Sequence, residues 1–324
     1  MVFKFNFQTN SSDDGMDSIE VDVPIEEIDG GNHPELTPAQ EFDIKELGEP
    51  ALELGVVKIE GTPFAYNKST QILKRLLADI KLQLAQEDSM ASESAEELIR
   101  SWMDGQDVVT HVYEGGFKTW ESAIDLSTFL LNQSPDTFNE KTIIELGCGS
   151  GVPSLALLRN FRPSRLHFCD YNKEVLRLAT APNLAANVLA QNLNSDGDIP
   201  LDLEITSKLL SQLSSTDRFR FFFGDWAGLP SIISTTHEPL YDVVLTTETL
   251  YTLELIPKLY NTLLSLMAKP HGVAYVAAKT VYFGCGGGTL QFKELVNSGN
   301  LLTCQVGWST HSGVAREVLV LRWK

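Results

Sequence analysis

The stretch "TIIELGCGSGVPSL", from Thr142 to Leu155, constrains the fold more than any other part of the chain. A short β-prone run ends in an acid and a leucine, and glycines then occupy every second position at Gly147, Gly149 and Gly151. Pro153 follows where a helix can begin, because proline fixes φ and has no N–H to lose in a first turn. Strand, bare backbone and helix N-terminus in that order place a ligand against the loop at the open end of a parallel sheet.

The surrounding pattern repeats the alternation. Apolar runs predict strands at Thr142–Leu146, Leu166–Asp170, Phe219–Phe223, Tyr241–Thr246 and Gly272–Ala278, with helices at Pro153–Asn160, Lys173–Asn192 and about Leu255 to Met267. Near-continuous apolar strands alternating with helices predict an α/β fold, its parallel sheet covered on both faces. "LLTCQVGW" and "REVLVLRWK", joined by "STHSGVA", predict a terminal hairpin and an antiparallel edge. Upstream, the expected organisation is an acidic, disordered tail over residues 1–50 and an accessory strand and helix region over 51–112, then the main domain over 113–324. In the accessory region "STQILKRLLADIKLQLA" carries apolar residues at helical spacing, and "SESAEELIRSWM" opens with a helix-start signal.

The formal net charge of −18 opposes broad binding to a phosphate backbone and suits a basic protein partner. Four scattered cysteines with no CxxC pair give neither a zinc site nor a disulfide framework, so no metal is expected. The N-terminus lacks the pattern of a signal peptide and no stretch approaches a membrane span.

The loop spacing is G-x-G-x-G rather than the dinucleotide G-x-G-x-x-G, and Glu145 precedes it. A carboxylate there would repel a pyrophosphate and favour a cationic amino-acid ligand. Spacing and acid together point to S-adenosyl-L-methionine, which carries an ammonium and a sulfonium. Asp170 ends the second strand where ribose hydroxyls are held in such folds, the role favoured here over the alternative that it or Asn172 caps the next helix. Asp225 is placed to accept from an adenine amino group, and Trp226 either stacks on the ring or fills the core. After the fourth strand, "TTETLY" supplies Thr246, Thr247, Glu248 and Tyr251, and "VYFGCGGG" supplies Tyr282 and the run Gly286 to Gly288. Ahead of the first strand, "EGGFKTWES" sets Gly115 and Gly116 beside Lys118, Trp120 and Glu121. It reads either as a flap over the ligand or as a hinge with a core tryptophan. His111, His167 and His311 have no partner pattern and read as structural or surface histidines.

The motifs "YEGGFKTWE", "IELGCGSGVPSL", "CDYNKEVLRL", "ITSKLL", "GDW", "TTETLY" and "YVAAKTVYFGCGGG" occur in order from Tyr113 to the C-terminus. In this the chain resembles the protein-histidine methyltransferase family. The resemblance implies a Rossmann-like, seven-stranded fold with S-adenosyl-L-methionine as donor and S-adenosyl-L-homocysteine as product. It implies tele-methylation of a histidine in a large-subunit ribosomal protein; a monomer of the cytoplasm or nucleus is expected, with direct binding to neither nucleic acid nor membrane. The residues then expected at the donor are Trp120, Glu145, Gly147, Gly149, Gly151, Asp170, Asn172, Asp225, Trp226 and Thr246. Glu248, Tyr251 and Tyr282 are expected at the acceptor. A neutral imidazole needs a partner that fixes its tautomer rather than a strong base, and Glu248 is the best acceptor for that task.

Overall fold

The computed structural model describes residues 37–62, 69–87, 115–191, 202–235 and 240–324. Strand β1 (Gln40–Phe42) leads through a turn at Ile44–Leu47 to β2 (Ala51–Glu60), β3 (Ser69–Arg75) and helix α1 (Leu77–Glu87). Helix α2 (Glu121–Leu131), β4 (Thr142–Leu146), α3 (Val152–Asn160) and β5 (Arg165–Asp170) follow. The next helix opens at Lys173–Val175, passes through a π turn at Leu176–Thr180 and continues as α4 (Ala181–Gln191). Then come β6 (Asp202–Glu204), α5 (Ser207–Ser214), β7 (Phe219–Phe223), α6 (Leu229–Thr235) and β8 (Val243–Thr247). The chain closes with α7 (Leu255–Leu266), β9 (Val273–Lys279), α8 (Thr289–Gly299), β10 (Leu302–Thr310) and β11 (Arg316–Trp323).

The large sheet has the order β1-β7-β5-β4-β8-β9-β11-β10. Pairing is parallel from β7 to β9 and antiparallel at both edges. The five expected parallel strands and the terminal hairpin are therefore present, as the Rossmann-like sheet required. Strand order reverses at β4: β5 and β7 lie to one side, β8 and β9 to the other. Crevices beyond the C-terminal ends of strands at such a reversal are where open α/β sheets bind ligands.

The parallel strands β4, β5, β7, β8 and β9 are buried on both faces, with neighbouring side chains pointing opposite ways into two cores. Ile143 joins the core under α2, α3 and α4, whereas Ile144 and Leu146 join the core under α6, α7 and α8. None of the described helices is long and apolar enough to cross a membrane.

Two upstream expectations need correction. Gln40–Phe42 falls inside the stretch expected to be disordered, yet it extends the large sheet as an edge strand against β7, and Phe42, Ile44 and Leu47 are buried in the main core. Arg220 holds Glu41 through two hydrogen bonds of 2.8 and 2.7 Å. The helical spacing read from Ile72 to Leu84 covers two elements: Ser69–Arg75 is a strand, and the helix begins only at Leu77. Ile72 and Leu73 are β-prone, and tertiary pairing decides: β3 lies against β2, and the side-chain amide of Asn187 on α4 bonds the backbone of Leu73 on both sides, accepting at 3.1 Å and donating at 2.7 Å. That contact imitates a sheet ladder. Because β2 also pairs with Asp202–Glu204, the accessory strands and β6 form a second, three-stranded sheet of order β3-β2-β6. His111, the expected strand at 108–113 and the helix read from "SESAEELIRSWM" lie outside the described residues.

Candidate active site

The glycine loop takes the conformation its composition anticipated. Gly147, Gly149 and Gly151 have φ of 62°, 50° and 74°, a region that disfavours residues with a Cβ. Space is the second constraint. A Cβ on Gly147 would stand 2.6 Å from Thr249 Cγ2, and one on Gly149 would stand 2.9 Å from the carbonyl oxygen of Gly116. The segment Gly115–Ser122 therefore folds onto the loop through a glycine-to-glycine contact. Gly116 is itself wedged against Val175, 2.7 Å from where its Cβ would be. The core anchor of this segment is Phe117, fully buried with Ile80, Val175, Leu178 and Ala179. Trp120 is only half-buried, with its Nε1–H donating to the Gly115 carbonyl at 3.2 Å and the Lys118 and Lys279 ammonium groups 4.6 and 5.4 Å from its ring.

Asp170 is buried at the end of β5. Its carboxylate accepts from the Gly149 N–H at 2.8 Å and the Asn172 N–H at 3.2 Å, so it both shapes the loop and turns the chain into the next helix. Asn172 is the N-cap residue of that helix. Thr180, in the π turn, donates to the Gly149 carbonyl at 2.5 Å. Such turns interrupt the i→i+4 ladder and recur at functional sites. Asn183 donates to the Ser150 carbonyl at 2.9 Å and accepts from the Arg75 N–H at 2.7 Å, tying β3 to the loop.

Glu145 has no exposed surface. One carboxyl oxygen accepts from the Ser154 N–H at 3.0 Å, satisfying a free amide at the start of α3. Burial pushes its carboxyl up to about 8; the Ser154 amide and hydroxyl pull it partly back and the charge of Asp170 adds to the rise. Its Oε1 meets no hydrogen-bond partner of normal geometry among the described residues.

Two expected donor contacts are committed to the protein instead. Asp225 accepts from the Ala227 N–H at 3.0 Å and pairs with Lys258 at 2.9 Å. It caps the turn Trp226–Gly228 rather than presenting an unengaged carboxylate. Thr246 is buried, with its hydroxyl donating to the Leu146 carbonyl at 2.9 Å and lying 2.7 Å from the Thr249 hydroxyl. It positions Thr249 against Gly147 from behind the loop. Trp226, by contrast, sets its ring edge 3.6 Å from a Cβ on Gly147, and its Nε1 has no partner among the described residues.

Just after β8, Glu248 adopts φ 58°, unusual for a residue with a side chain. Its N–H donates to the Ala277 carbonyl at 2.9 Å. The Tyr282 hydroxyl donates to one carboxylate oxygen at 2.5 Å, and the Ser122 hydroxyl donates to the other. Burial, followed by the charge of Glu248, drives the Tyr282 phenol well above its ordinary range, so it stays a donor. Tyr251 meets Tyr282 edge-on at 6.5 Å. The structure thus brings Glu248, Tyr251 and Tyr282 into contact. Ser122, Thr249, Thr180, Asn183 and Asn187 were missed; only the i,i+4 asparagine pair on one helix face left any trace in the sequence.

His167 is a structural histidine. It is buried, its Nε2 faces the Asp217 carbonyl at 3.0 Å and its Nδ1 lies 2.9 Å from the Tyr241 hydroxyl. A carbonyl can only accept, so Nε2 carries the proton. Burial lowers its pKa to about 4. His311 lies on the exposed turn between β10 and β11. The described residues contain no cluster of metal-ligating side chains.

Residues 115–202 match the methyltransferase small domain. The histidine protein methyltransferase 1 homolog of Dictyostelium discoideum is 34% identical over 67% of this chain, and the match spans 60% of that relative's length. Histidine protein methyltransferase 1 of Schizosaccharomyces pombe is 35% identical, with the match covering 71% of each chain. The chain belongs to the histidine protein methyltransferase 1 family. It carries the fold and donor of that family, and is an S-adenosylmethionine-dependent methyltransferase. Among solved structures, an O-methyltransferase from Bacillus cereus in complex with S-adenosylhomocysteine aligns at TM-score 0.44 and 13% identity, over 75% of this chain and 97% of that one.

The residues present fit the donor. Gly147 and Gly149 leave bare backbone where a side chain would stand, the Glu145 carboxyl is buried at the end of β4 just before the loop, and the ring edge of Trp226 lies against Gly147. Gly147, Gly149, Trp226 and Trp120 are the residues that would hold the donor, and Glu145 would supply a carboxylate for a cationic amino-acid end.

Proposed function

We propose that this chain methylates the tele nitrogen of a histidine in a protein of the large ribosomal subunit. The observation that carries the reading is Glu248, held in a left-handed conformation between two hydroxyl donors, one residue from the threonine that packs on Gly147. When bound, S-adenosylmethionine supplies an electrophilic methyl group. The residues of this chain then have to orient the acceptor, exclude water and take up a proton.

Ser122 and Tyr282 fix both oxygens of Glu248 and leave each a lone pair. One of those lone pairs accepts the N–H of a neutral imidazole. That selects the tautomer and leaves the opposite ring nitrogen free to face the glycine loop. After methylation the ring is cationic, and the proton on its other nitrogen passes to the Glu248 carboxylate and on to solvent. No strong base is needed, since histidine is largely neutral near pH 7 with a pKa of about 6.5, whereas lysine at about 10.4 is not. The half-buried Trp120 and Tyr251 flank this carboxylate's surroundings and limit water.

A large-subunit ribosomal protein is basic, in keeping with the net charge of −18, and such a substrate supports action in the cytoplasm or nucleus. The test is methylation of isolated large-subunit ribosomal proteins with labelled donor, followed by residue-level mass spectrometry. Tele-methylhistidine is expected; methyl-lysine would overturn the acceptor while leaving the donor site standing.

A further inference from the structure

Phe283 is 87% exposed and Leu253 is 57% exposed, the highest values among the large apolar side chains of the described residues. Single apolar residues on a surface are ordinary. These two are not independent: Thr252 and Gly286 form an antiparallel bridge that joins the loop after β8 to the loop after β9. Leu253 lies 3.7 Å from where a Cβ on Gly286 would be.

The turn that displays Phe283 is braced. The Tyr282 N–H donates to the Gly287 carbonyl at 2.9 Å, the Gly286 N–H returns to the Tyr282 carbonyl at 3.0 Å, and the Gly287 N–H donates to the Tyr251 carbonyl at 3.2 Å. Gly287 presses on the Leu250 carbonyl, 2.1 Å from where its Cβ would be. Gly284 and Gly286 have φ of 84° and 80°. The glycine run therefore makes a fixed turn rather than a loose one, and it holds an aromatic ring in water. The neighbouring side chain, Tyr282, points inward and donates to Glu248. One end of this turn serves the acceptor carboxylate and the adjacent residue faces solvent.

We infer that Phe283 and Leu253 form a docking surface for the protein substrate, which takes an apolar side chain of the segment flanking the acceptor histidine. The inference rests on the proposed protein-methylating activity. The surface is continuous with the site through the Tyr282–Phe283 peptide. Consecutive residues are about 3.8 Å apart and an extended chain rises about 3.3 Å per residue. A histidine seated at Glu248 therefore carries the residues that flank it in an extended substrate toward Phe283. The exposed Glu254 beside Leu253 gives the same surface a negative rim for a basic segment. A rigid aromatic anchor ringed by smaller contacts is the usual energetic centre of a protein interface.

The test uses the full-length protein and large-subunit ribosomal proteins as acceptor. Phe283→Ala is expected to raise KM for the protein acceptor at least tenfold while kcat and the calorimetric Kd for S-adenosylhomocysteine stay at wild-type values. Leu253→Ser should act in the same direction. Wild-type KM in both variants overturns the proposal. So does a change in sedimentation from dimer to monomer in Phe283→Ala, which would assign the surface to a second copy. Recovery of wild-type KM when residues 1–36 are deleted from Phe283→Ala would assign it to this chain's own N-terminus, and also overturns it. If the label appears on a residue other than histidine, the acceptor reading fails, and the KM comparison still decides the docking surface.

Discussion

Glu145 offers a direct measurement of how the donor site is built. In the free protein burial holds its carboxyl near 8, so at pH 7 about nine in ten molecules carry the proton. A ligand ammonium held within a few ångströms of Oε1 would favour the charged form, as any nearby cation does. Ligand binding must then expel up to about 0.9 proton per site at pH 7. Titration of S-adenosylhomocysteine by calorimetry, in buffers of different ionisation enthalpy, reads that number as a slope. The sign for affinity follows. Below its raised pKa the free protein holds a proton that the complex lacks, so affinity should climb up to tenfold per pH unit from 5.5 to 7.5 and level off above about 8. Glu145→Gln keeps an acceptor for the Ser154 N–H and removes the titration. It should fold normally, bind more weakly at pH 7.5 and show a flat profile. Heats independent of buffer, or a Gln variant that follows the wild-type profile, would refute the idea that this carboxyl faces the ligand.

Gly149→Ala forces a side chain into a left-handed backbone, a cost of about 1–2 kcal/mol, and drives it against the Gly116 carbonyl. S-adenosylhomocysteine binding should be lost by calorimetry while circular dichroism keeps the folded spectrum. Glu248→Gln keeps an acceptor but loses the charge that stabilises the cationic product ring. Single-turnover methylation should slow at least tenfold, with donor Kd within twofold of wild type. Phe42→Ala empties a buried site in the edge of the sheet and should lower unfolding free energy by about 3–5 kcal/mol in denaturant titration. An unchanged midpoint would show that β1 does not contribute to the core.

The sequence by itself determined the parallel sheet, its antiparallel hairpin and the glycine loop after β4. Those features are local: apolar runs of strand length, glycines where the backbone must take positive φ, and a proline at the first turn of α3. Their boundaries were legible to within a residue or two for the same reason. It did not determine what Gln40–Phe42 or Ser69–Arg75 would become. A three-residue edge strand in an acidic tail has no periodicity to read, and Ile72 and Leu73 fit a helix or a strand until Asn187 and β2 meet their backbone groups. The division of labour among polar residues also waited for the tertiary structure. Thr246 and Asp225 sit at strand ends where ligands bind, yet Leu146, Thr249, Ala227 and Lys258 engage their hydrogen-bonding groups first. Glu248 meets Ser122 and Tyr282 across 126 and 34 residues of chain. Contacts between residues so distant leave no spacing in a single sequence, because only the packing of α2, β8 and the loop after β9 brings those side chains to one place.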